Sequence, residues 1–130
     1  MEQLINILLV DDEVDYIKTL SERLAIRGLE NRVAHDGEEA LQKIAEDKPD
    51  IVVLDLKMPG MGGMELLRKI NASPQKILVI IVSGHGTDRE EEEAEQLGAH
   101  SFLKKPVDID MLTEKVNDAF NLLKSCPSGR

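Results

Sequence analysis

Asp55 is the fifth residue of IVVLDLKMPG (51–60), a run otherwise apolar enough to be a buried strand. A carboxylate in an interior is costly unless a cation or hydrogen-bond donors meet it. Four other residues could provide that company. Asp11 and Asp12 follow the apolar run LINILLV (4–10), Ser83 follows ILVIIV (77–82), and Lys105 follows HSFLK (100–104). Two carboxylates about 4 Å apart at an effective dielectric near 20 repel by roughly 4 kcal/mol, so three together force a pKa upward or recruit a cation. Oxygen ligands without His or Cys among them favour a hard ion that keeps water ligands, and Mg2+ suits them better than Ca2+ or Zn2+. Mg2+, an ammonium and a hydroxyl around one carboxylate make a site for a phosphoryl group. In that chemistry Asp55 is the nucleophile, the metal and Lys105 neutralise the transferring oxygens, and the product is an aspartyl phosphate.

Such a convergence needs a scaffold that brings the ends of distant strands to one edge. The chain alternates short apolar runs with longer amphipathic stretches. The runs are 4–10, NRVA (31–34), IVVLDL (51–56), 77–82 and 100–104, and three are nearly continuous in Ile, Val and Leu, as strands covered on both faces are. Between them, Val14, Ile17, Leu20, Leu24 and Ala25 form a helical stripe that Gly28 stops. Asp36 with Glu39 and Thr87 with Glu90 read as capping boxes, Gly98 closes the helix begun at Thr87, and Asp108 caps a final helix over 108–124. Met64, Leu67 and Ile70 mark another helix over 63–71. Five βα units imply a parallel sheet with right-handed crossovers, helices on both faces, and a ligand site at the carboxyl ends of the strands.

Bulk properties narrow the setting. The 130 residues suit one domain over 1–124, with SCPSGR (125–130) as a tail or linker stub. The formal charge of −9 argues against nucleic-acid binding by this chain. No apolar run reaches the roughly 20 residues that cross a bilayer, and no signal peptide opens the sequence. The single cysteine, Cys126, offers neither a disulfide framework nor a cysteine metal site. A cytoplasmic domain is expected.

In order and spacing, ILLVDDE (7–13), VVLDLKMPGMGGMEL (52–66), IIVSGHG (80–86) and GAHSFLKKPV (98–107) resemble the receiver domains of two-component response regulators. The resemblance covers about 5–123. It implies a flavodoxin-like (βα)5 fold, a doubly wound five-stranded parallel sheet in the order 2-1-3-4-5. It also implies that Asp55 accepts a phosphoryl group from a histidine kinase or histidine phosphotransfer protein in a Mg2+-dependent reaction. Asp12 would bind Mg2+ directly, Asp11 chiefly through water, and the Lys57 backbone carbonyl would be a further ligand. Ser83 would hydrogen-bond the phosphoryl group and Lys105 would pair with it, with the Lys105–Pro106 bond cis. Lys57 and His85 would tune the phosphoryl lifetime, and Phe102 stands where the family has a rotating aromatic, often Tyr. Val107 stands where Phe is frequent. His35 and His100 read as ordinary surface or core residues.

The switch implied is a population shift in which the region 84–107 moves, through Ser83 and Phe102, to alter partner binding on the 84–124 face. TDREEEEAEQL (87–97), with five glutamates and only Ala94 and Leu97 as core anchors, reads as a weakly packed acidic helix. Two other functions compete. A Mg2+-dependent phosphohydrolase would use the same nucleophile, but many carry a second Asp where this chain has Lys57, and no cap domain is expected here. A non-phosphorylated receiver-like scaffold would not need the full acidic set.

Overall fold

The structure, a computed structural model, describes residues 5–58, 60–84 and 87–125. The elements alternate: β1 (Ile7–Val10), α1 (Val14–Ile26), β2 (Asn31–Ala34), α2 (Gly37–Glu46), β3 (Ile51–Leu54), α3 (Gly63–Ala72), β4 (Leu78–Ser83), α4 (Asp88–Gln96), β5 (Ser101–Lys104) and α5 (Ile109–Ser125). The strands form one parallel sheet in the order β2-β1-β3-β4-β5, as the sequence implies. Register places Val10 beside Leu54 and Leu54 beside Ile81, so β1 and β3 end at one level and β4 runs on past it to Ser83.

Alternation along the strands divides the core in two. Ile7, Leu9, Ile51, Val53, Ile80 and Val82 pack with α1 and α5 through Ile17, Leu20, Leu24, Leu112, Val116 and Ala119. Leu8, Val10, Val52, Leu54, Val79 and Ile81 face α2, α3 and α4 through Ala40, Ile44, Leu66, Leu67, Ile70 and Ala94. Each fully buried Leu or Ile contributes roughly 1.5–3 kcal/mol, and the core draws on the three central strands and the helix faces that cover them.

Several boundaries differ from the sequence reading. β1 begins at Ile7 rather than residue 4. Just before it, the Asn6 carbonyl accepts from the Asp50 N–H, and the Asn6 N–H donates to the Asp50 carboxylate (2.9 Å), so a side chain enters the pairing there. β3 ends at Leu54, because after Asp55 the chain turns and the Leu56 carbonyl accepts from the Gly63 N–H. Ser83 is the last residue of β4 rather than the first beyond it, paired with Lys104. β5 begins at Ser101. α5 reaches Ser125, and the rest of the expected tail, Cys126 included, lies outside the described residues.

Helix ends follow the expected chemistry with one correction. Gly28 (φ 83°) and Gly98 (φ 100°) supply the left-handed turns after α1 and α4. Thr87 and Glu90 form the reciprocal capping box of α4. Asp36 accepts from the Glu39 N–H, but the Glu39 carboxylate accepts from the His35 N–H instead of the Asp36 N–H. Asp36 is fully extended there, which leaves the preceding amide in reach. Asp108 accepts from the Asp110 N–H, as a cap should.

The fourth helix buries Ala94 alone, with Leu97 half-buried beyond it. Its cap therefore carries an unusual share of its stability. Thr87→Ala is expected to lower the urea midpoint by the equivalent of about 1 kcal/mol and to quicken amide exchange in α4 more than in α3.

Candidate functional site

Because β1 and β3 end side by side, Asp11 and Asp55 are both one residue past a buried strand. The Asp55 N–H donates to the Val10 carbonyl (3.0 Å), and the Asp11 N–H donates to that of Ala34 (3.1 Å). These bonds fix both backbones at the carboxyl edge. Asp11 and Asp55 are each 5% exposed, whereas Asp12, at the start of the β1–α1 turn, reaches solvent. One oxygen from each of Asp11, Asp12 and Asp55 lies within 4.8 Å of the other two. The sequence-predicted carboxylates do converge.

Lys105 reaches the same place from the end of β5. Its backbone N–H donates to the Ser83 carbonyl (2.9 Å), and its peptide bond to Pro106 is cis, as expected. The Lys105 ammonium lies 2.8 Å from Asp11 Oδ2, 2.7 Å from Glu13 Oε1 and 3.8 Å from Asp55 Oδ1. Its charge also sits 4.5 Å from the centroid of the Tyr16 ring. Burial opposes that charge, yet the hydrogen bonds it donates to Asp11 and Glu13 outweigh it and raise the Lys105 pKa above the ordinary lysine value.

Asp55 shows the electrostatic cost of this gathering. Its pKa is raised from 3.8 to about 6, first by burial and then by repulsion from Asp11. Lys105 and a hydrogen bond from the Lys57 N–H act in the opposite direction. Tyr16 is raised as well, mainly by burial.

An open cleft of about 390 Å³ lies over these groups, walled by Asp12, Glu13, Asp55, Lys57, Gly84 and Lys105. Ser83 stands directly before that wall in sequence and is itself wholly buried. Phe102, paired across from Ile81, is half-buried against the α3 and α4 side of the core, away from the cleft. Lys104 is exposed, on the face of β5 opposite Leu103. The Lys57 side chain leaves the cleft to meet Glu90 Oε2 at 2.8 Å, and Lys57 together with the Thr87 N–H holds the Glu90 pKa down. His85 lies outside the described residues. His35 is half-exposed beside Glu39 (3.5 Å), and His100 contacts the Ser101 hydroxyl (2.8 Å).

Four contributors escaped the sequence reading. Glu13 and Tyr16 lie one and four residues after Asp12, on the first turn of α1, and helical spacing could have placed Tyr16 near the site. Gly63 lies against the backbone that carries Asp55: a Cβ there would overlap the Asp55 carbonyl oxygen and sit 2.6 Å from Leu56 Cα. Glu90 is legible in the sequence as a cap partner of Thr87, but its contact with Lys57, 33 residues away, is not.

A doubly wound parallel sheet whose carboxyl edge gathers three carboxylates and one ammonium under an open cleft defines a class of α/β ligand-binding domain. Within that class the chain belongs to the response regulator receiver domain family, whose model matches residues 7–117. It is 38% identical over 123 residues to the transcriptional regulatory protein GlrR of Escherichia coli, covering 95% of this chain and 27% of that protein. The chain thus spans about a quarter of that relative's length. It is 36% identical over 110 residues to sporulation initiation phosphotransferase F of Bacillus subtilis, covering 85% of this chain and 89% of that one. A crystal structure of a response regulator receiver domain protein from Clostridium thermocellum superposes with a TM-score of 0.88 at 35% identity, covering 93% and 98% of the two chains. Among the described residues no helix is long and apolar enough to cross a membrane.

Proposed function

We propose that this chain is a phosphorylation-activated switch in which Asp55 accepts a phosphoryl group from a histidine kinase or histidine phosphotransfer protein. The observation that carries this reading is the approach of Asp11, Asp12 and Asp55 to within 4.8 Å, with Lys105 beside two of them, in a chain of the receiver family. The donor set is all oxygen, and burial together with repulsion from Asp11 raises the Asp55 pKa, which fits a hard divalent ion. Asp11, Asp12, Asp55 and the Lys57 carbonyl would hold Mg2+. When bound, the ion supplies positive charge that offsets repulsion among these carboxylates and on the transferring oxygens.

The chain's own residues do the rest. Above pH 6 Asp55 is mostly ionised and offers an oxygen lone pair to phosphorus. The O–P bond forms as the donor's N–P bond breaks, and the leaving imidazole takes a proton. Lys105, held by Asp11 and Glu13 on a buried stem, turns its ammonium from Asp11 towards the new phosphoryl oxygens. Roughly −1.5 to −2 charges added at Asp55 attract the Ser83 hydroxyl, and movement of the following loop opens space that Phe102 fills. Moving such an equilibrium from 1:99 to 99:1 takes about 5.5 kcal/mol, so an output partner on the 84–124 face completes the shift. His85, two residues after Ser83, is proposed with Lys57 to tune hydrolysis.

Incubation with acetyl phosphate and Mg2+ tests this by intact mass. One phosphate adduct per chain is expected, lost with EDTA and with Asp55→Ala. An adduct that survives Asp55→Ala, or repeated turnover of phosphate monoesters, overturns the reading.

A further inference from the structure

Glu90 is forked between two tasks. One oxygen, Oε1, accepts from the Thr87 N–H (3.1 Å) while the Thr87 hydroxyl accepts from the Glu90 N–H (3.1 Å), which closes the first turn of α4. The other, Oε2, accepts from the Lys57 ammonium at 2.8 Å. Lys57 is two residues after Asp55 and belongs to the wall of the same cleft. A single carboxylate thus holds both the start of α4 and a cation from the cleft wall two residues after Asp55.

We propose that Glu90 is a positioning residue that draws Lys57 away from the phosphoryl site, and that phosphorylated Asp55 takes Lys57 over from it. This rests on Asp55 being the phospho-acceptor. The exchange is favoured by charge: the phosphoryl group carries roughly −1.5 to −2 where Glu90 carries −1. Its consequence falls on α4. That helix buries only Ala94. Among the described residues its side-chain ion pairs to other elements are Lys57–Glu90 and Arg68–Glu93 (3.1 Å). Once Lys57 leaves, Asp88, Glu90 and Glu91 in the first turn lose the cation that offsets their mutual repulsion, which loosens the start of α4. Because coupling is reciprocal, a partner that holds α4 in place weakens the phosphoryl group's hold on Lys57.

Beryllofluoride serves as the phosphoryl probe in the presence of Mg2+. Tyr16 is the single tyrosine in a chain without tryptophan, and its ring lies against Lys105, so its fluorescence follows the titration. Glu90→Gln keeps the capping box, for which Gln serves as well as Glu, and removes the charge. The beryllofluoride midpoint is expected to fall about two- to fivefold, the range of an exposed ion pair. Glu93→Gln removes the same charge one turn later and is expected to leave the midpoint within experimental error. In a Lys57→Met background, Glu90→Gln is expected to do no more than Glu93→Gln does. A wild-type midpoint for Glu90→Gln, or an equal shift with and without Lys57, overturns the exchange. Wild-type protein that takes phosphate from acetyl phosphate but gives those results loses this inference alone. Wild-type protein that neither takes phosphate nor responds to beryllofluoride loses the proposed function and this inference together.

Discussion

Asp55→Asn is expected to make the protein more stable at pH 7.5 in EDTA, by up to roughly 3 kcal/mol. The reason is the raised pKa of Asp55, from 3.8 to about 6, caused first by burial and then by Asp11. The folded chain therefore binds a proton at Asp55 more tightly than the unfolded chain. Stability must fall as pH rises from about 4 to about 6, and the whole cost is present above that window. Asparagine carries no charge to desolvate, keeps an oxygen for the Lys57 N–H, and leaves Lys105 with Asp11 and Glu13. The advantage of Asn should close as pH falls to about 4. Mg2+ should stabilise the wild type more than the variant, because the variant has lost one of the three carboxylates. Urea midpoints across pH 4–8, with EDTA and with Mg2+, measure all of this. A wild type as stable as Asp55→Asn at pH 7.5 in EDTA would contradict the electrostatic account of the site.

That cost is also why the site could be read in the sequence. A carboxylate inside a run such as IVVLDL conflicts with its surroundings, and conflicts of this kind concentrate at functional positions. The strand ends were legible because strands buried on both faces are continuous in Ile, Val and Leu, so their termini show as abrupt changes of polarity. β3 was read two residues too long because its hydrogen bonding continues to the Asp55 N–H even as the chain turns away. The acidic trio and Lys105 followed from position, and the cis bond to Pro106 from the family resemblance.

What spacing does not encode is where long side chains go. Lys57 meets Glu90 across 33 positions and Lys105 meets Glu13 across 92. Both contacts depend on rotamers and on how two loops approach each other in space. The sequence reading aimed Lys105 at a phosphoryl group. The same ammonium meets Asp11 and Glu13 and is backed by Tyr16. Phe102 was placed on its strand correctly, yet its half-buried side chain leans on the α3 and α4 side of the core, a choice made by packing.

Gly63→Ala is expected to cost about 2–3 kcal/mol and to slow formation of the Asp55 adduct, whereas Gly62→Ala changes stability by no more than about 0.5 kcal/mol. The two glycines are adjacent in MPGMGG, and neither has a positive φ. Their difference is one of space. At Gly63, the first residue of α3, an added Cβ would overlap the Asp55 carbonyl oxygen, lie 2.6 Å from Leu56 Cα and 3.1 Å from the Asp55 carbonyl carbon. Every one of those atoms is backbone, so no rotamer change relieves the clash. The Gly63 N–H also donates to the Leu56 carbonyl (3.0 Å), which ties the first turn of α3 to the chain that carries Asp55. Helix propensity favours Ala over Gly by up to about 1 kcal/mol, too little to reverse the result. Relief must come from sliding α3 away from β3, and that loosens the backbone just after Asp55. At Gly62 the nearest atom to an added Cβ is the Leu56 carbonyl oxygen at 3.8 Å, an ordinary contact. Its backbone (φ −75°, ψ 168°) is open to any residue. Urea unfolding and the time course of adduct formation separate the two variants. Equal behaviour would mean that α3 does not set the position of Asp55.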